Sequence, residues 1–167
     1  MSMFTRRALG ALTLTALLAL TACASLNGQR PAANVAQLAE QTPELSTFSK
    51  LVKQSGLQAT LEGTAPITVF APTDEAFKAL PAATMDKLAK DPEALKALIS
   101  YHIVSGAVKS ADIGGATTLT TVGGAKLGVS KAGDFITADD SLVTQADQAA
   151  GNGVVHVIDR VLTPPKK

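Results

Sequence analysis

The sequence predicts an α+β domain, and three observations carry that expectation. Between residues 34 and 101 apolar side chains recur at helical spacing behind good capping residues. From residue 117 onward short β-branched runs alternate with glycine and aspartate turns. One isolated β-type run, ITVF at 67–70, sits among the helices between Pro66 and Pro72. Helices first and a strand meander afterwards is the α+β ordering.

The first residues stand apart from that domain. MSMFTRRALGALTLTALLALTAC reads as an export signal, with Arg6 and Arg7 as a positive n-region and an apolar run over 8–20. The run is too short for a permanent crossing, which takes about 20 residues. It closes on LTAC at 20–23, with cleavage expected between Ala22 and Cys23. LTAC resembles the bacterial lipobox, whose cysteine receives a diacylglycerol and becomes the new N-terminus. Two or more acyl chains give stable anchoring, so the membrane is the first expected partner. Cys23 is the only cysteine; once acylated, it leaves no thiol and no disulfide in the mature chain. Ala24, where inner-membrane retention would use Asp, favours the outer membrane or periplasm, or the cell surface. TRR at 5–7 also resembles a twin-arginine signal, so both export routes fit. The expected organisation is a cleaved signal over 1–22, a lipidated Cys and flexible tether over 23–33, one domain over 34–165 and a tail at 166–167.

Within the domain, Asn34 is an N-cap for a short helix carrying Val35, Leu38 and Ala39. Pro43 suits a first helical turn; Leu45, Phe48, Leu51 and Val52 follow on one face, and Gly56 ends the run. A helical turn around 60–62 leads into the ITVF strand. Thr73-Asp74-Glu75 is an N-cap with two acids in the next first turn, where the helix dipole favours them. Leu88 marks another short helix. Asp91-Pro92-Glu93 opens a helix with Leu95, Leu98 and Ile99 that runs into Tyr101-His102-Ile103-Val104. Strands are expected at 117–122, 126–130, 135–138, 142–146 and 154–158. Gly123-Gly124 and Ala132-Gly133-Asp134 are hairpin signals, and Pro164-Pro165 ends the domain. No repeat is visible, and a monomeric domain is expected.

Charge and composition exclude some functions. The formal charge is +1, and loss of residues 1–22 removes two arginines and no acid, leaving −1. Nucleic-acid binding needs clustered Lys and Arg, and none are clustered here, so no nucleic-acid partner is expected. Tryptophan is absent and aromatics are 4% of the chain, so stacking platforms are scarce.

Enzyme motifs are missing: no Gly-rich phosphate loop, no G-x-S-x-G elbow, no HExxH. No catalytic residue, metal site or cofactor is expected. His102 and His156 with Asp74 could form a facial metal triad in principle, but no spacing supports it. Asp139-Asp140 reads as a solvated turn, and Asp112 and Asp147 as turn or edge residues. His156 alternates with Val155 and Val157, which puts it on the opposite face of its strand. Both histidines read as structural side chains whose ring nitrogens must find backbone or polar partners.

Three boxes in order carry a specific resemblance: TVFAPTDEAF at 68–77, YHIVSG at 101–106 and NGVVHVIDRVLTPP at 152–165. They resemble the first conserved box, the YH box and the second conserved box of the fasciclin, or FAS1, domain. The stretch NVAQLAEQTPELSTFSKLVKQSGL resembles its opening helices, so the likeness covers about 34–165. Arg160 stands where many members carry a small or polar residue. The resemblance implies a wedge of about seven β-strands with several short helices packed at one end. It implies that the first and last boxes form adjacent core strands, with Thr73, Asp74, His156 and Asp159 as structural motif residues. It also suggests that Thr73 or Asp74 works with His102 to hold the helical cap to the sheet. Tyr101 and His102 are then a structural junction or a partner contact, because in some animal members this neighbourhood is implicated in integrin binding.

The family acts mostly in adhesion and extracellular interaction, without established enzymes. The resemblance and the lipobox together imply a lipid-anchored envelope protein that binds an unidentified protein or polysaccharide. The alternative is a carrier of an apolar small molecule, such as a carotenoid or lipid. An apolar pocket open between helices and sheet would favour the carrier.

Overall fold

The computed structural model describes residues 32–165, and the fold is built from their local chemistry. Helix α1 (Val35–Gln41) starts where the Asn34 carboxamide oxygen accepts the Gln37 N–H at 2.8 Å. A 3-10 turn over Pro43–Leu45 feeds α2 (Ser46–Gln54), which buries Phe48, Leu51 and Val52. The short α3 (Gln58–Glu62) precedes strand β1 (Ile67–Pro72), buried along its whole length. Helix α4 (Asp74–Lys78) follows the Thr73 cap. Helices α5 (Ala82–Lys90) and α6 (Pro92–Tyr101) complete the helical layer, the latter capped by Asp91 with Pro92 in its first turn.

Six strands follow: β2 (Ile103–Ser105), β3 (Ala116–Thr120), β4 (Lys126–Ala132), β5 (Phe135–Ala138), β6 (Ser141–Ala150) and β7 (Gly153–Ile158). With β1 they form one seven-stranded sheet in the order β2-β1-β7-β6-β5-β4-β3. Only the central β1–β7 pair is parallel, with Phe70 beside His156; every other pair is antiparallel. The sheet curls until Val104 of β2 bridges Thr121 just past β3, so it is nearly a barrel.

This curl creates two cores. Ile67, Val69 and Ala71 of β1 and Val155 and Val157 of β7 face the helices, packing on Phe48, Leu61 and Ile99. Phe70 and Ile158 face the barrel interior with Tyr101, Ile113, Leu127 and Ile136. Strands buried on both faces read as continuous apolar runs, which is why ITVF and VVHVI lack a polar alternation. The α+β class is as the sequence predicts, and the two boxes pair as the family resemblance implies.

Several boundaries differ in detail: the strand expected over 117–122 is Ala116–Thr120, and the one expected to end at 130 runs on to Ala132. The last long strand before β7 extends to Ala150, four residues beyond the predicted 146, because register shifts between Val143 and Gln148 let a polar run keep pairing with β7. Ala32, read from the sequence as tether, is buried and its carbonyl accepts the Gly151 N–H at 3.0 Å. Among the described residues, no helix is long and apolar enough to cross a membrane. Ala22, Cys23, the export signal and residues 166–167 lie outside the described residues.

Candidate functional site at the YH box

The C-terminal end of α6 delivers Tyr101 and His102 into opposite cores. The Tyr101 ring lies in the barrel core, and its hydroxyl donates to Asp139 Oδ2 at 2.7 Å, with the Lys126 carbonyl as a second acceptor at 3.2 Å. Asp139 sits in the turn between β5 and β6 with φ at 48°, a left-handed conformation that Asp tolerates better than most residues. Its other oxygen accepts the Gly128 N–H at 3.0 Å, so this one carboxylate ties β4, the β5–β6 turn and α6 together. Burial, reinforced by the hydrogen bond and charge of Asp139, raises the Tyr101 pKa above the ordinary value of 10.

His102 is fully buried beside Phe48. Its Nδ1 lies 2.8 Å from the Leu98 carbonyl, which can only accept, so Nδ1 carries the proton. Nε2 then accepts the Leu162 N–H at 3.0 Å. The His102 carbonyl accepts the Phe70 N–H at 2.9 Å. One residue therefore pins α6, β1 and the C-terminal segment. Burial depresses the imidazole pKa to about 4, against a smaller opposing contribution from the Leu98 hydrogen bond.

His156 is equally buried and stacks on Phe70, with ring centroids 5.3 Å apart. Its Nε2 donates to the Val108 carbonyl at 3.0 Å, and its Nδ1 accepts the Asp147 N–H at 3.3 Å. All four ring nitrogens of the two histidines are thus committed to backbone groups, which leaves none to ligate a metal. Among the described residues no three His, Cys, Asp or Glu side chains form a metal-sized group, and every buried side-chain nitrogen or oxygen has a partner.

The other motif residues act locally. Thr73 Oγ1 accepts the Ala76 N–H, and the Thr73 N–H donates to the Ile158 carbonyl, joining α4 to β7. Asp74 accepts the Thr47 N–H and the Ser46 hydroxyl, each at 2.7 Å. It supplies the cap that α2 lacks from its own sequence. Burial raises its pKa, but the hydrogen bonds from Ser46 and Thr47 and the Lys78 charge together outweigh that, so its carboxyl titrates below the ordinary range. Asp159 accepts the Leu142 N–H at 2.8 Å, tying β7 to β6. The structure does not bring Thr73 or Asp74 to His102; their hydrogen bonds go to α2 and β7, and those of His102 go to α6, β1 and Leu162.

Beside Tyr101 a groove of about 630 Å³ opens between the β5–β6 turn and the C-terminal segment, lined by Asp139, Asp140, Ser141, Arg160 and Thr163. On the other side of the tyrosine, a second space of about 300 Å³ lies between Ser100, Thr121, Gly123 and Pro164. Arg160 is exposed, and among the described residues its guanidinium makes no ion pair. Between α1, α2 and α3 the packing leaves only about 10 Å³, at most room for a single water. Sequence reasoning missed Asp139 as the partner of Tyr101 and Leu162 as the partner of His102. The available signals were the Asp-Asp pair in a turn and an apolar residue placed just before Pro164-Pro165.

A near-barrel of seven strands capped by short helices, with its box residues spent on structural hydrogen bonds, defines the class of fold. The chain belongs to the fasciclin family: the Fasciclin domain matches residues 43–164. It is 36% identical over 132 residues to transforming growth factor-beta-induced protein ig-h3 of Sus scrofa, covering 78% of this chain and 19% of that protein. It is 38% identical over 136 residues to the cell surface glycolipoprotein MPB83 of Mycobacterium bovis, covering 78% of this chain and 60% of that one. Protein sll1483 of Synechocystis is 35% identical over 136 residues, covering 80% of this chain and 75% of that one. Among solved structures, a FAS1 domain pair from the insect cell adhesion molecule Fasciclin I superposes with a TM-score of 0.58 at 20% identity, over 74% of this chain and 46% of that one. That likeness speaks for the fold. The chain spans about a fifth of ig-h3 and 60% of MPB83.

Proposed function

We propose that the protein is an exported envelope lipoprotein, anchored through acylated Cys23, whose FAS1 domain binds a protein or polysaccharide partner without catalysis. The observation that carries the reading is the groove beside Tyr101. It is open, it is lined by groups of both charge signs at Arg160 and Asp140, and its floor is fixed by the Tyr101–Asp139 hydrogen bond. Such a rigid polar surface suits recognition, since little ordering entropy is lost on binding. The naming of MPB83 as a cell surface glycolipoprotein supports the same class. Residues 1–22 act as the signal and 23–31 as tether, and the anchor raises local concentration at the membrane rather than adding contacts. The outer membrane is the favoured residence, from Ala24.

The test is crosslinking of the native lipoprotein in intact cells, with Arg160→Ala and Asp140→Ala beside the parent. A defined captured species that both variants lose, with unchanged melting, supports the groove. Capture untouched by either variant overturns it. Separately, Cys23→Ala should move the protein from the membrane to the soluble fraction, and retention on the membrane would remove the anchor.

A further inference from the structure

After Asp159 the chain is held only through side chains. Asp159 is tied twice to Leu142, its N–H to the Leu142 carbonyl at 3.1 Å and its carboxylate to the Leu142 N–H at 2.8 Å. Among the described residues, 160–165 make no backbone-to-backbone hydrogen bond. Two bonds hold them: the Ser141 hydroxyl to the Arg160 carbonyl at 3.2 Å, and the Leu162 N–H to His102 Nε2 at 3.0 Å. Leu162 is the only buried residue of the six, and it plugs the barrel core with Tyr101 and Phe70. The groove and the smaller space beside Tyr101 flank this strap, so it has open room on both sides of its plug. A segment held this way can open while the sheet stays intact.

The bond to His102 is the one that a proton can break. With the ring neutral, Nε2 accepts the Leu162 N–H. A proton on Nε2 would turn that nitrogen into a donor aimed at another donor. Moving Leu162 aside admits water, which accepts the new N–H and solvates the charge. The elements packed on His102 bring no titratable group to it: α6 contributes the Leu98 carbonyl, α2 the Phe48 ring, β1 the Phe70 N–H and the strap Leu162. Their charged residues, Glu93 and Lys96 of α6, Lys50 and Lys53 of α2 and Arg160 of the strap, are all exposed, and β1 carries none. The Tyr101 hydroxyl points into the other core, at Asp139. Burial is accordingly the main cause that holds the imidazole pKa near 4, and no neighbouring charge contributes.

We propose that residues 160–165 are a proton-operated latch, closed while His102 is neutral and released when it takes up a proton from solvent, uncovering the apolar floor around Tyr101. In the open form the ring is hydrated and its pKa returns toward the ordinary 6.5, so protons favour opening. Between pH 7 and pH 4 the ratio of open to closed strap rises about 100-fold by this linkage. Opening also dismantles one wall of the groove, since Arg160, Val161, Leu162, Thr163 and Pro165 all line it. Release of a bound partner in acid therefore follows if the groove reading above holds. The latch itself needs no partner, and its test is independent of that reading.

Amide hydrogen exchange of the full chain, corrected for intrinsic rates, reads the latch directly. At pH 7 the Leu162 amide should be at least about tenfold less protected than the amides of β1 and β7, because it exchanges by local opening. Its protection should fall about 100-fold by pH 4. In His102→Gln that fall should vanish. Leu162→Ala touches no titratable group and keeps the test alive if the glutamine variant folds poorly. It should lower protection at 162 at both pH values while β1 and β7 keep theirs. Acrylamide quenching of Tyr101, the only tyrosine in a chain without tryptophan, should rise over the same pH range with far-ultraviolet circular dichroism unchanged. Three results would overturn the latch: protection at 162 equal to that of β1 and β7 throughout, protection at 162 that ignores pH in the parent, or quenching that rises only as the dichroism is lost. Equal losses at 162, β1 and β7 in Leu162→Ala would do the same.

Discussion

The His102 imidazole bridges the Leu98 carbonyl at 2.8 Å and the Leu162 N–H at 3.0 Å, joining two segments 60 residues apart in the closed core. The segment after β7 has no strand or helix of its own to hold it. Its attachment rests on this bond, on burial of Leu162 and on the bond from the Ser141 hydroxyl to the Arg160 carbonyl. His102→Ala leaves one buried donor and one buried acceptor with no side-chain partner. Each orphaned group costs about 1–3 kcal/mol. The expected loss is about 3 kcal/mol or more, read as a drop in Tm of roughly 10 °C. A melt unchanged within a degree would remove His102 from this role.

The same residue gives stability a pH dependence. At pH 7 the ring is neutral in folded and unfolded chains alike. As pH falls through the ordinary 6.5 the unfolded chain takes up a proton that the folded chain refuses until about pH 4. Stability is therefore full above 6.5 and is lost downward through that window. The loss across it totals about 3 kcal/mol. Thermal melts between pH 7 and 4.5 should show the decline in the parent and a flatter profile in His102→Gln. Parallel profiles would contradict it. Asp74 and Asp147, held below the ordinary carboxyl range, contribute only at lower pH.

Tyr101 is the only tyrosine, and there is no tryptophan, so absorbance near 295 nm reports one phenol. Its ionisation should begin only above the ordinary 10, because burial and Asp139 both oppose the tyrosinate. In Asp139→Asn the negative neighbour is gone and the transition should move down. The same variant weakens a charge-assisted hydrogen bond, a cost of about 1.5–3 kcal/mol. Identical alkaline titrations of parent and variant would break the assignment of Asp139 as the partner.

How much of this was legible in the sequence depended on the range of the physics involved. Caps at Asn34, Thr73 and Asp91 act within four residues and were readable, as were the strand runs whose two-sided burial leaves no polar alternation. The opposite-face placement of His156 followed from strand geometry alone. What could not be read is long-range: Asp74 caps α2 from 27 residues away, and Asp139 reaches Tyr101 across 38. Asp74 opens α4, where an acid favoured by the helix dipole looks the same in sequence, and Asp139 sits in a turn that suits any solvated carboxylate. The pairing of Thr73 or Asp74 with His102 had the right residues as anchors, but each is bound to a different element.

Gly153 offers the sharpest test of the central pair. It opens β7 opposite Ile67 of β1, and a Cβ there would collide with the Ile67 carbonyl oxygen. That oxygen is backbone within a strand buried on both faces, so it cannot swing aside as a flexible side chain would. Gly128 is the useful contrast, since its Cβ would approach only a side-chain oxygen of Asp139, at 3.2 Å. Gly153→Ala should therefore cost more than about 3 kcal/mol, in the range of severe overpacking. Gly128→Ala should cost about 1 kcal/mol or less, since a few tenths of an ångström of give at one carboxylate suffices. Denaturant unfolding of both variants decides the matter. A Gly153→Ala midpoint at or above that of Gly128→Ala would mean that β1 and β7 are not held at this register.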